Sequence, residues 1–151
     1  ILNQILICLF VLINPVLFIN YLIPKLSNGS FISVVTSVAG VRGRSKRLFY
    51  ASSKAGLINL AESLFFDLKK TGVKISIINP GFIKSESTNL NSFPMPFIKS
   101  SDYAANKIFL GLTKSYKFEI YFPMFFLQLM KFGKILPYKI YFYIINKITG
   151  L

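Results

Sequence analysis

Short, nearly continuous apolar runs alternate along the chain with longer segments of helical periodicity, the pattern of an α/β protein with buried strands. Residues 30–37, preceded by Asn28-Gly29, and residues 73–79 are β-branched and apolar, which predicts two buried parallel strands. Between them, 50–70 predicts a helix, with Leu57, Leu60, Ala61, Leu64 and Phe65 as an apolar stripe and Gly72 suited to its C-terminal cap. Two strands joined in this order within one sheet pair in parallel through a right-handed crossover. Further on, Ser101-Asp102 suits the cap of a helix reaching about Thr113, whose Ala104, Ile108 and Leu112 share a face, and 118–122 predicts the last strand.

The two ends differ from this alternation. Residues 5–23 are apolar enough to resemble a membrane span of about 20 residues, but Asn14, Pro15 and Asn20 interrupt them. Asn14-Pro15 reads as a helix N-cap followed by proline at the first helical position. At the other end, 123–151 form an apolar, basic extension in which Lys131, Lys134, Lys139 and Lys147 are interleaved with aromatic and aliphatic residues. Two short apolar helices broken at Pro137 suit either a helix pair lying in a membrane interface or a cover over a substrate pocket or oligomer surface.

The candidate chemistry lies between the first two strands. In Phe49-Tyr50-Ala51-Ser52-Ser53-Lys54-Ala55-Gly56, the spacing of four puts the Tyr50 phenol and Lys54 ammonium on one helix face, about one turn apart. A free tyrosine titrates near pH ~10, and a neighbouring positive charge favours the phenolate, so the two residues form a candidate acid/base pair. Ser37, thirteen positions before Tyr50 in Thr36-Ser37-Val38-Ala39-Gly40, supplies a hydroxyl able to hold a substrate carbonyl or alcohol against the phenol.

This serine and the Tyr-x-x-x-Lys that follows it resemble the active site of the short-chain dehydrogenases/reductases. The resemblance extends through Phe31 to Gly40 and through Lys74-Ile75-Ser76-Ile77-Ile78-Asn79-Pro80-Gly81, similar to the family's next strand and the Pro-Gly turn that ends it. It covers roughly residues 5–122 and implies the C-terminal part of a doubly wound, Rossmann-type parallel sheet flanked by helices. It also implies hydride transfer between NAD or NADP and a small-molecule carbonyl or alcohol. Ser37, Tyr50 and Lys54 would be catalytic, with Tyr50, Lys54, Pro80, Gly81, Ile83 and Ser85 at the nicotinamide end of the cofactor. Ser85 stands where the family more often has threonine, and it retains the hydroxyl. The first apolar stretch resembles the long helix before the serine strand, packed against the sheet and often against a partner subunit, so a homo-oligomer is expected. The family's relay asparagine lies about thirteen residues before the proline; that count reaches Val11, so Asn14 receives no catalytic role. Residues 85–100, with Asn91-Ser92-Phe93-Pro94-Met95-Pro96-Phe97, resemble a substrate-covering loop and equally suit an irregular connection.

Composition narrows the function. The chain of 151 residues has no glycine-rich turn between a first strand and helix, so the expected organisation is a partial catalytic domain in 1–122, lacking its N-terminal nucleotide-binding half, and an extension in 123–151. Such a piece alone is expected to be inactive, and a non-catalytic, membrane-associated or interaction remnant of the same enzyme is the alternative. The net charge of +13 suggests polyanions, but the lysines are scattered. Only Arg42-Gly43-Arg44-Ser45-Lys46-Arg47 is a cluster, suited to an acidic substrate, a cofactor phosphate, an anionic lipid or plain solvent, so nucleic acid is not the expected partner. The single cysteine, Cys8, and the lack of histidine exclude an internal disulfide framework, a Cys/His zinc site and a Ser-His-Asp hydrolase. The expected location is the cytoplasm, with residues 124–151 available to a membrane surface.

Overall fold

The computed structural model describes residues 2–43, 48–89, 95–114 and 116–149. Arg44, Ser45, Lys46 and Arg47 of the basic run, and Asn91, Ser92, Phe93 and Pro94 of the proline-punctuated loop, lie outside the described residues.

Three strands form one parallel sheet in the order β1 (Phe31–Val35), β2 (Lys74–Pro80), β3 (Glu119–Phe122). Phe31 pairs with Lys74 and Val35 with Ile78; Ile77 pairs with Glu119 and Pro80 with Phe122. Burial follows position: the central β2 is buried from Ile75 through Asn79, whereas the edge strand β1 alternates, with Ile32 and Val34 inward. Parallel neighbours need long crossovers, and the chain supplies two, α3 (Leu48–Asp67) between β1 and β2 and α5 (Ser101–Thr113) between β2 and β3.

Those crossovers cover both faces of the sheet. On one face Leu57, Ala61 and Leu64 of α3 pack with Ile32, Val34, Ile75 and Ile77, as their helical spacing predicts, while Phe65 remains exposed. On the other face Ala104 of α5 packs with Ile78, Ile120 and Phe122, and Ile108 and Leu112 lean on the same cluster. Each leucine, isoleucine, valine or phenylalanine among them, once buried, contributes roughly 1.5–3 kcal/mol from apolar transfer. Gly72, at φ +74°, terminates the 3-10 turn after α3 in the left-handed conformation that glycine adopts without strain.

Two local expectations need correction. Asn14 is not an N-cap: α1 (Leu2–Cys8), a π turn (Leu9–Ile13) and α2 (Asn14–Leu22) follow one another, and Asn14 has helical dihedrals (φ −60°, ψ −46°). Its N–H donates to Leu9 O across the π turn, so Pro15 sits within a helical run, where the wider turn accommodates a residue that lacks an N–H donor. The cap of α5 is Ser100 rather than Ser101, with Ser100 Oγ accepting from Tyr103 N at 3.2 Å. Segment Ile5–Lys25 is long and apolar enough to cross a membrane by length and composition. In the fold, Ile19 and Leu12 from this run pack into the α3 side of the core.

After β3 come α6 (Met124–Ile135) and α7 (Tyr138–Thr149), separated at Pro137 as predicted. Leu127 and Phe126 of α6 pack against Val38 in the loop that follows β1. Arg42, at the start of the basic run, lies against the rings of Tyr138 and Tyr141, 4.6 and 4.4 Å from their centroids, and the Tyr141 hydroxyl donates to Gly43 O at 2.6 Å. Arg42 thus stacks on two tyrosine rings of α7. It holds the tail onto the loop.

Candidate active site

The site forms where β1 and β2 end. Thr36 continues from β1 and is tied to β2, its N–H donating to Ile78 O at 2.8 Å and its hydroxyl shared between Ile78 O, at 2.9 Å, and Asn79 Oδ1. Ser37 follows in extended backbone (φ −165°, ψ 150°), and a 3-10 turn, Val38–Gly40, folds back toward α3. Ser37 Oγ accepts from Ala39 N at 3.2 Å, which engages a lone pair and leaves the hydroxyl hydrogen to donate. The turn presses closely on α3 because residue 40 is glycine: a Cβ there would lie 2.7 Å from Ala55 N and 2.7 Å from Lys54 C.

Tyr50 and Lys54 share the face of α3 that the spacing of four implies. Lys54 Nζ lies 5.8 Å from the Tyr50 ring centroid and donates to Val35 O at 2.8 Å, two residues before Ser37. Desolvation by burial holds the Lys54 ammonium below the usual lysine value of 10.5. Tyr50 retains 36% exposure. A groove of about 580 Å³ runs between α2 and β1, lined by Phe18, Ile19, Ser33, Val35 and Leu57, with Lys54 as its charged lining residue. A smaller cleft of about 240 Å³ opens beside Gly40, Leu48 and Ala51, and the serine, tyrosine and lysine do not line it.

The Pro-Gly turn lies at the adjoining strand end. Gly81 N donates to Phe122 O at 2.8 Å, and a Cβ on Gly81 would meet Pro123 Cδ at 2.9 Å, so only glycine fits without displacement. Ile83 forms an isolated parallel bridge with Lys99 and packs on the α5 cluster. Ser85 is exposed at the start of α4 (Glu86–Asn89), its N–H donating to Thr88 Oγ1 at 2.8 Å. Ser37, Tyr50 and Lys54 thus gather around the end of β1, and Pro80 and Gly81 end the neighbouring strand. Ile83 and Ser85 lead away from it.

The sequence profile of the short chain dehydrogenases matches residues 9–93. The chain belongs to the short chain dehydrogenase family. An uncharacterized oxidoreductase of Myxococcus xanthus (strain DK1622) is 40% identical over 103 residues, which cover 68% of this chain and 40% of that protein. A 3-oxoacyl-(acyl-carrier-protein) reductase of Buchnera aphidicola subsp. Schizaphis graminum is 36% identical over 95 residues, covering 56% of this chain and 39% of that protein. The chain therefore spans less than half the length of these relatives. Among solved structures, a short chain dehydrogenase from Burkholderia cenocepacia J2315 in complex with NADP superposes with a TM-score of 0.63 at 19% identity, over 78% of this chain and 47% of that one. A 4-hydroxyisoleucine dehydrogenase complexed with NADH and succinate superposes with a TM-score of 0.58 at 20% identity, over 74% and 53%. These likenesses establish the Rossmann-type parallel sheet of the family.

Sequence reasoning missed the polar chain behind this candidate site of the short chain dehydrogenase. Asn79 Nδ2 donates to Glu119 Oε1 at 2.7 Å, and Glu119 Oε2 is ion-paired with Lys131 of α6. Thr36, Asn79, Glu119 and Lys131 thereby connect β1, β2, β3 and α6 in turn. A signal was present. Asn79 is a polar residue closing an apolar strand, and Glu119 is one of only five acidic residues in the chain, so each required a partner.

Proposed function

We propose that this chain carries the catalytic and nicotinamide-end portion of an NAD(P)-dependent oxidoreductase that interconverts a carbonyl and an alcohol, with Tyr50 as the acid/base. The observation that carries the reading is the placement of Lys54, bound to Val35 O at 2.8 Å and 5.8 Å from the Tyr50 ring centroid, beside the loop that presents Ser37. The residues at the strand ends suit the group. Lys54 has one ammonium hydrogen engaged and others to offer, and Gly81 gives a backbone surface without a side chain. Lys54, Pro80, Gly81, Ile83 and Ser85 would hold the nicotinamide end, and the bound dinucleotide supplies or accepts hydride.

The chain's own work is proton transfer and positioning. The Ser37 hydroxyl donates to the substrate oxygen and holds it beside the phenol. Tyr50 gives its proton to that oxygen in reduction and takes it back in oxidation. The Lys54 ammonium stabilises the phenolate this leaves. The same proposal divides the chain into a catalytic unit in 1–122 and an extension in 123–151, and the packing of Phe126 and Leu127 on Val38 supports an extension laid over the serine loop. Homo-oligomerisation belongs to the same proposal, supported by exposed apolar residues on α2 and α3 such as Phe18 and Phe66.

The test is Tyr50→Phe in the enzyme that contains this sequence, with NADH and NADPH oxidation followed over a panel of ketones and 3-oxoacyl thioesters. Turnover should fall by about 10² to 10⁴ while dinucleotide affinity is retained. Wild-type turnover in the variant overturns the role of Tyr50.

A further inference from the structure

The tail has an outward face that neither the core nor the proposed chemistry uses. On α6, Phe126, Leu127 and Gly133 are buried, while Phe125, Leu129, Phe132 and Ile135 recur at helical spacing on the opposite side, the last at 82% exposure. A helix that is apolar on its solvent side as well as its core side calls for a second apolar medium. Phe97 extends this surface, its ring edge-on to that of Phe125 at 5.8 Å. On α7, Tyr141 faces the serine loop and Phe142 and Tyr143 face out, beside exposed Lys139 and Lys147.

Charge decides the medium. Residues 123–151 contain four lysines and no aspartate or glutamate. Lys131 is ion-paired with Glu119, whereas Lys134, Lys139 and Lys147 are exposed, and no carboxylate among the described residues lies within ion-pair distance of them. A second copy seated on this face would bring lysines against lysines, and like charges across an interface are repulsive. Anionic headgroups would pair with the ammonium groups, and the acyl boundary beneath them would receive the aromatic rings. Each helix has 12 residues and is about 18 Å long, short of the ~30 Å hydrocarbon layer, and Pro137 divides the pair. The helices therefore suit the surface of a bilayer rather than its span.

We infer that the outward face of α6 and α7 docks on an anionic phospholipid surface, with Phe125, Phe132 and Phe142 entering the interface and Lys139 and Lys147 meeting the headgroups. The buried side of the same helices would then hold the serine loop near the membrane plane, where an apolar substrate partitions. The surface stands whether or not Tyr50 is catalytic.

Flotation of the purified chain with vesicles of phosphatidylcholine alone, and of phosphatidylcholine with an equal part of phosphatidylglycerol, tests the inference. Binding is expected to the mixed vesicles and to weaken with salt. The double variant Lys139→Glu, Lys147→Glu should lower partitioning by about thirtyfold, since each lysine near an anionic surface contributes roughly 1 kcal/mol. These side chains are exposed, so the variant should unfold at the wild-type temperature. Phe132→Ser provides an independent test of the apolar contact. Equal binding to both vesicle types, or wild-type binding by both variants, overturns the inference and shifts attention to the apolar segment Ile5–Lys25. A dimer detected by sedimentation, without vesicle binding, overturns it in favour of a second copy.

Discussion

Gly40→Ala is the sharpest perturbation of the arrangement that brings Ser37 to α3. The added Cβ would sit 2.7 Å from Ala55 N, 2.7 Å from Lys54 C and 2.9 Å from Lys54 Cβ. Carbon contacts are comfortable at about 3.5–4.0 Å, so the turn has to retreat by about 0.8 Å or more, and helix backbone cannot swing aside as a side-chain end can. Overpacking of this kind costs about 1–3 kcal/mol, against which alanine recovers about 0.4–1 kcal/mol through a less flexible unfolded chain. The clash wins, and the expected net loss is about 1–2 kcal/mol, read as a shift in the urea unfolding midpoint. Gly43→Ala is the control, because no atom of the described residues beyond its chain neighbours lies within 4 Å of its added Cβ, and it should be neutral or slightly stabilising. Retreat of the turn also carries Ser37, since Gly40 N donates to Ser37 O at 2.9 Å. In the parent enzyme, turnover should fall more than stability alone explains, as misplacement by about 1 Å can cost 10² in rate. If Gly40→Ala and Gly43→Ala unfold at the same urea concentration, the close approach of turn and helix is wrong.

Leu127 is 1% exposed, and Leu127→Ala should cost about 2–5 kcal/mol in chemical denaturation; a loss below about 1 kcal/mol would show that α6 is not part of the core. Lys54 gives a pH signature. Its folded-state pKa is lowered by desolvation, so between that value and 10.5 the unfolded chain binds more protons than the folded one, and stability rises with pH across the interval. Lys54→Met should remove this rise, and a rise of the same size in the variant would refute the burial of the ammonium.

What the sequence made legible was whatever depends on periodicity. β2 reads as one apolar run because helices cover both its faces, α5 reads from Ala104, Ile108 and Leu112, and the break between α6 and α7 reads from Pro137. Asn14-Pro15 misled because a cap and a π turn both tolerate proline, and only the hydrogen bond from Asn14 N to Leu9 O separates them. The pairing of Arg42 with Tyr138 and Tyr141 joins residues about a hundred positions apart, and no local pattern announces such a contact. At the site, the spacing of Tyr50 and Lys54 was readable, while the partner of Lys54, a backbone carbonyl, carries no residue signature.

That carbonyl has an entropic consequence. A lysine stem free in solution samples many rotamers, and fixing it costs up to about 2 kcal/mol. With Nζ held on Val35 O at 2.8 Å, part of this loss is incurred on folding, before any ligand arrives. An ammonium has three hydrogens, so the tether leaves two free to donate while keeping the stem ordered. A hydroxylated ligand reaching Lys54 meets a donor already aimed by the end of a β-strand, and its binding free energy is not spent on straightening a flexible chain.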